Sequence, residues 1–217
     1  MTKESYFTEK SIQQKSKEIL KSVLPLKHRH SRQEFVPAHS ALLVLDMQHY
    51  FLDPDSHAFI PSAISILPGL QKMISAYSSI GQPVIFTRHL NTDVDAGMML
   101  KWWGDLINLR TARSQIIESL DVTNHIFIEK TQYDAFLGTR LDETLRQSGV
   151  EQIVVTGVMT HLCCETTARS AFMHGFNVFF PVDGTATYSE AHHRASVLNL
   201  AHGFAVPLLV GDILSQL

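Results

Sequence analysis

Six short apolar runs alternate along the chain with stretches of helical spacing, and that alternation constrains the fold more than any other feature. The runs cover residues 41–45, 83–87, 125–129, 152–156, 177–180 and 205–210. Each is apolar almost without interruption, the pattern of a strand buried on both faces of a parallel sheet. Between them, residues 64–78, 106–120, 139–147, 163–173 and 190–201 carry helical periodicity, and Gly81, Gly149, Gly175 and Gly203 stand where helix C-termini are expected. Strand and helix in turn predict an α/β fold: a three-layer, Rossmann-like arrangement of six parallel strands with helices on both faces and right-handed crossovers. Pro207 inside the last run predicts an edge strand, because proline cannot donate to the ladder.

The 217 residues suffice for one such domain and one site. The expected division is an N-terminal arm over residues 1–37, with a polar helix over about 5–23, followed by a single domain over 38–217. A hydrophobic fraction of 45% and a charged fraction of 18% belong to an ordinary globular chain. A net charge of -3 without a basic face argues against nucleic acid as a partner, and the one basic run, residues 27–32, reads as a solvated linker. No apolar run approaches the roughly 20 residues that cross a bilayer. The charged first 25 residues hold no signal-peptide core, so neither a membrane nor secretion is expected. Cys163 and Cys164 are adjacent, a spacing that disfavours a disulfide, and reduced thiols in the cytoplasm fit best.

Parallel sheets bind ligands at the carboxyl ends of their strands. That directs attention to Asp46, Arg88, Lys130 and the segment 157–164. Asp46 ends the first run and reads either as a general base or as a brace for the loop that follows. Lys130 ends the third run and, taken alone, reads equally as a solvated strand end. Cys163 opens the helix after the fourth run. Unpaired backbone N–H groups and the helix dipole there favour a thiolate, a neighbouring lysine more so, and the same groups could hold an oxyanion. The alternative is a small buried hydrophobe, a reading that suits Cys164.

Together these residues resemble a known family. Val44-Leu-Asp46-Met-Gln48-His-Tyr-Phe51, a lysine after the third strand, and Val155-Thr-Gly157-Val-Met-Thr160-His-Leu-Cys163 with Thr166-Thr167-Ala168-Arg169-Ser-Ala171 are similar to the isochorismatase-like hydrolases, over residues 40–212. The resemblance implies a triad of Asp46, Lys130 and Cys163 and a non-proline cis peptide at Val158–Met159. In the cysteine-hydrolase branch it also implies hydrolysis of a small amide-type (C–N) substrate through a covalent acyl-enzyme, with the oxyanion on the backbone N–H groups of Met159 and Cys163. No cofactor is implied, and a homo-oligomer, dimer or tetramer, is expected.

Locally the chain is most similar to the true isochorismatases, which cleave a vinyl ether without a cysteine nucleophile. His161-Leu162-Cys163-Cys164, Ser189-Glu-Ala-His-His-Arg194 and Trp103-Gly104 resemble their segments. Cys163, however, stands where those enzymes carry glycine, and Ala96-Gly97-Met98-Met99 stands where they carry a carboxylate-binding arginine. Nicotinamidases resemble the chain less, because their metal-binding Asp-x-His pair finds no match. His192 and His193 are adjacent on a helix and point apart, and His28 and His30 lie outside the sheet, so no metal site is expected. Gln48, Arg88 and His161 are expected to contact a small-molecule substrate. Phe51, Trp102, Trp103 and Tyr133 either line an aromatic pocket or belong to the core or a subunit interface. Three functions compete: amide hydrolysis by Cys163, isochorismate-type vinyl ether hydrolysis with Asp46 as general acid, and a catalytically silent binding scaffold. A nucleotide-dependent oxidoreductase is disfavoured, since no Gly-x-Gly-x-x-Gly follows the first strand.

Overall fold

Strands β1 (Ser40–Leu45) and β4 (Gln152–Val158) pair in parallel at the centre of the sheet, and every residue of both is buried. Their unbroken apolar runs are satisfied only where both faces of the strand are covered. β2 (Val84–His89) and β3 (Ile126–Lys130) extend the sheet on one side, and β5 (Asn177–Pro181) and β7 (Val206–Leu208) on the other. The order is β3-β2-β1-β4-β5-β7, all parallel, and a two-residue strand, β6 (Thr185–Ala186), pairs with the end of β4. The strand carrying Pro207 is at the edge. This is the computed structural model of the chain, and it describes residues 3–27 and 33–217. Most of the basic run read as a linker, with His28 and His30, lies outside the described residues.

Helices cover the sheet. α3 (Leu67–Ser79) packs on β1 and β2 and on α8 (Val210–Leu214), whereas α6 (Glu165–Met173) packs on β4, β5 and α7 (Glu190–Gly203). α5 (Leu141–Gln147) lies on the path from β3 to β4. No helix among the described residues is long and apolar enough to cross a membrane.

Residues 106–120 are not the expected helix. They form a loop with one 3-10 turn at Ala112–Ser114, because their polar backbone groups bond across to the segment after β1, which carries the short helix α2 (His49–Leu52). Ile117 N–H donates to the Met47 carbonyl at 3.0 Å, and His49 N–H donates to the Gln115 carbonyl at 2.9 Å. The helix between β2 and β3 is instead α4 (Met98–Trp103), six residues bounded by Gly97 and Gly104, both at positive φ.

At the N-terminus, Thr8 and Ser11 exchange side-chain-to-backbone hydrogen bonds of 3.0 and 3.1 Å, so the helix α1 (Ile12–Lys27) starts later than its polar pattern suggests. The segment lies against its own chain. α1 packs on α7 and β7, Tyr6 and Phe7 are buried, and Lys15 pairs with Glu190 at 2.6 Å.

Candidate active site

The carboxyl ends of β1, β2 and β3 and the turn after β4 meet in one place. Asp46 leaves β1 with φ of 52°, a left-handed conformation that aspartate tolerates better than most residues. Beside it, Gly157 has φ of 103°, and a Cβ there would lie 2.1 Å from the Leu45 carbonyl oxygen, so only glycine lets β1 and β4 run this close. The Val158–Met159 peptide bond is cis. Cys163 sits in a five-residue π-helical turn, Thr160–Cys164, and α6 begins only at Glu165, later than expected. On β3, period-two alternation turns Phe127 and Glu129 outward and buries Ile128 and Lys130.

The side chains close into a buried cluster. Lys130 Nζ lies 2.8 Å from Asp46 Oδ2, and both side chains are fully buried. Nζ also donates to Cys163 Sγ at 3.3 Å and to the Gln132 carbonyl at 3.0 Å, and it lies 3.3 Å from His89 Nδ1. Asp46 Oδ1 accepts from the Thr87 hydroxyl at 2.6 Å. Oδ2 meets the ammonium as an ion pair, yet no donor among the described residues is aligned on it as a hydrogen bond. His89 Nε2 is 2.6 Å from Asn91 Oδ1, so a neutral ring donates there and accepts from Lys130 through Nδ1.

Burial alone would raise the Asp46 carboxyl, but the Lys130 ammonium, with His89 and Thr87, outweighs it and holds the group below its ordinary range. Burial draws Lys130 down, and the Asp46 carboxylate, with the contact to Cys163, more than reverses this. His89 is lowered to about 4 by burial and by the adjacent ammonium. Cys163 is pushed up to about 12 by burial; Lys130 opposes the shift and Asp46 adds to it. The resting cluster is therefore carboxylate, ammonium, neutral imidazole and neutral thiol. Burial thus opposes the thiolate that the sequence position favours, and the Lys130 ammonium supports it. Asp46, His89 and Cys163 place ligand-type atoms within 4.8 Å of one another and are the residues available to a metal ion. The Lys130 ammonium already lies 2.8 to 3.3 Å from the same three side chains and supplies the cation of that donor set.

Above the cluster opens a cavity of about 380 Å³. Phe51, Trp103 and Tyr133 line it as the aromatic reading expects, and Trp103 Nε1 donates to Tyr133 Oη at 2.7 Å. Met159 and Cys163 form its floor, whereas Val158 is buried in the core. Three expected substrate contacts are placed elsewhere. Gln48 is fully buried with its amide spent on the backbone, donating to the His89 and Ser114 carbonyls at 3.0 and 2.8 Å and accepting from His89 N–H at 2.9 Å. Arg88 faces the opposite side of the sheet, where the register sets it beside its ion-pair partner Glu129. His161 lies behind the turn against Thr187 and the ring of His192. Trp102 is 74% exposed and outside the cavity. The sequence reading missed His89, Tyr50 and Tyr188, which do line it. Alternation along β2 was the signal for His89: with Thr87 turned toward Asp46, His89 must follow and Arg88 cannot.

A pocket at the carboxyl edge of a doubly covered parallel sheet, with a thiol on its floor, is the ligand-binding place of an α/β domain. Residues 40–212 match the isochorismatase domain, and the chain belongs to the isochorismatase family of hydrolases. It is 44% identical to Nicotinamidase 3 of Arabidopsis thaliana over 171 residues, 76% of this chain and 82% of that one. It is 29% identical to the isochorismatase of Bacillus subtilis (strain 168) over 185 residues, 83% of this chain and 59% of that protein's length. A solved structure, the cysteine hydrolase from Pseudomonas syringae pv. phaseolicola 1448A, superposes with a TM-score of 0.81 at 25% identity, covering 85% of this chain and 94% of that one. The expectation that nicotinamidases are the more remote likeness is corrected by the first of these.

Proposed function

We propose that the protein hydrolyses a small amide through Cys163, and one observation carries the reading: the Cys163 thiol lies within reach of a buried Asp46 carboxylate and Lys130 ammonium at the floor of an aromatic cavity. Asp46 takes the thiol proton on Oδ2, the oxygen without an aligned donor. The proton moves inside the site, and the Lys130 ammonium, 3.3 Å from Sγ, stabilises the thiolate that this uphill transfer forms. The thiolate, paired with Lys130, attacks the amide carbonyl carbon, and the electron pair of the C=O bond passes to oxygen, held by the backbone N–H groups of Met159 and Cys163. Collapse breaks the C–N bond, and the departing amine takes the proton from Asp46. Water then attacks the thioester, Asp46 accepts its proton, and the acid and the free thiol are released.

The aromatic walls and the likeness to Nicotinamidase 3 support a heteroaromatic amide such as nicotinamide as the first substrate to try. Purified protein incubated with nicotinamide, benzamide and aliphatic amides should release ammonia from at least one, and Cys163→Ala should abolish release. No ammonia from any of them favours a silent binding scaffold. Iodoacetamide should label Cys163, on the cavity floor, faster than Cys164, which is fully buried.

The similarity to the Bacillus isochorismatase supports a second reading, vinyl ether hydrolysis with Asp46 as general acid. Against it, Lys3 is the only lysine or arginine among the described residues lining the cavity, a thin provision for a polyanionic substrate. If the second reading holds, Cys163→Gly retains turnover of isochorismate. A cytoplasmic homo-oligomer, with residues 1–37 as an arm on the domain, belongs to the same proposal, and sedimentation measures its assembly state.

A further inference from the structure

The family match begins at residue 40, yet the N-terminal segment reaches the back of the site from outside it. Tyr6 is 4% exposed. Its hydroxyl accepts from Thr187 N–H at 3.0 Å and lies 3.2 Å from Nδ1 of His193 on α7. The same Nδ1 is 3.0 Å from the hydroxyl of Thr160, which also donates to Thr185 Oγ1 of β6 at 3.1 Å. Thr160 follows Met159 directly and is the first residue of the turn that carries Cys163. His193 is fully buried, its Nε2 has no hydrogen-bond partner among the described residues, and its ring packs edge-on against Phe7 at 5.2 Å. The ring is held by its packing on Phe7, by the nearby Val182 backbone and by the two hydroxyls that meet Nδ1.

Apolar packing does not need this arrangement. Phe7 and Ile19, both fully buried, already anchor the segment and α1 in the core. Glu4 and Lys15 bond the segment to Tyr188 and Glu190, but among the described residues it is the Tyr6 hydroxyl that reaches His193 Nδ1 and, through it, Thr160. Without that hydroxyl, the Thr187 N–H loses its acceptor and Nδ1 of His193 is left to the Thr160 hydroxyl alone. Buried polar groups are rarely left unsatisfied, so Thr160 would turn from Thr185 toward His193 and carry the start of the turn with it.

We propose that Tyr6 is a positioning residue whose hydroxyl, through His193 and Thr160, fixes the Met159–Cys163 turn so that the thiol faces Asp46 and Lys130. The role rests on the reading of Cys163 as nucleophile. Tyr6→Phe keeps the ring and removes only the hydroxyl, and Thr160→Val breaks the same link from the other side. Tyr77→Phe is the control: Tyr77 is equally buried, and its hydroxyl lies 2.9 Å from Ser40 Oγ at the opposite end of β1.

Two rates are read, each normalised to folded protein. One is alkylation of Cys163 by iodoacetamide, which needs no substrate. The other is turnover of an amide that the wild-type protein cleaves. Tyr6→Phe should slow alkylation and kcat by about tenfold with KM within about twofold, the scale expected for a misplaced reacting group. Thr160→Val should do the same, and the double variant should add nothing further. Tyr77→Phe should lower Tm and leave both rates unchanged. Wild-type alkylation in Tyr6→Phe, an equal slowing in Tyr77→Phe, or additive effects in the double variant overturns the proposal. If the wild-type protein cleaves no amide while Tyr6→Phe still slows alkylation, the amidase reading falls and the positioning role stands.

Discussion

Lys130 is the residue on which the site depends electrostatically, because its ammonium is what keeps a fully buried Asp46 ionised beside a thiol. Lys130→Met leaves that carboxylate without its counter-charge, and the expected loss is about 3–5 kcal/mol of unfolding free energy, together with all activity. Adding Asp46→Asn should restore part of the stability, since the uncompensated charge is then gone, but none of the activity. Urea titration of the two variants at pH 7 measures both effects; equal stability of Lys130→Met and the wild-type protein would mean that the pair is not buried as described. Arg88 makes the contrasting case. Its partner Glu129 is 58% exposed on the outer face of the sheet, so Arg88→Ala should shift stability by less than about 1 kcal/mol and leave KM within about twofold. A large rise in KM for that variant alone would return Arg88 to the pocket.

At the scale of the elements, the approach of β1 to β4 is the tightest requirement. The Leu45 carbonyl occupies the place where any side chain at position 157 would begin, and the backbone there has positive φ. Gly157→Ala must push the two strands apart at the point where Asp46 and the nucleophile turn leave the sheet. A loss above about 4 kcal/mol is expected, seen as aggregation on expression or a collapsed Tm. The strands were legible because a run such as Leu42-Leu43-Val44-Leu45 can be satisfied only inside a doubly covered sheet. The site was legible in part for the same reason, since Asp46 and Lys130 sit where such runs stop. Residues 106–120 were misread because helical spacing of apolar residues does not reveal that the backbone is committed to Met47 and His49, a pairing set by tertiary contact. α4 escaped notice because six residues between two glycines carry too little periodicity. Arg88 was chosen over His89 by charge, whereas strand alternation, already written in the sequence, assigns the inner face to His89.

For the whole molecule, the buried histidines set the acid limit of stability. Burial lowers His193 to about 3 and His89 to about 4, the latter helped by Lys130. Each group has its folded pKa below its unfolded value of about 6.5, so between those values the unfolded chain binds the proton and the folded chain does not. Their stabilising contribution is complete above about pH 6.5 and is lost as the pH falls. Asp46 acts in the same sense but only at lower pH, beginning near the ordinary carboxyl value of 3.8. Lys130 has the opposite sign: its contribution is present below 10.5 and disappears as the pH rises through about 12. Stability should therefore be level from about pH 7 to 8.5, fall above about pH 9 as the unfolded chain ionises thiols that burial keeps protonated in the folded one, and fall from about pH 6.5 toward 5, before carboxylates contribute, by up to about 1.4 kcal/mol per pH unit for each histidine. Denaturant titrations at half-unit steps across that window measure the slope. His193→Asn, even if less stable at pH 7, should show a shallower slope by close to one site's share, because it removes one group that must take up a proton on unfolding.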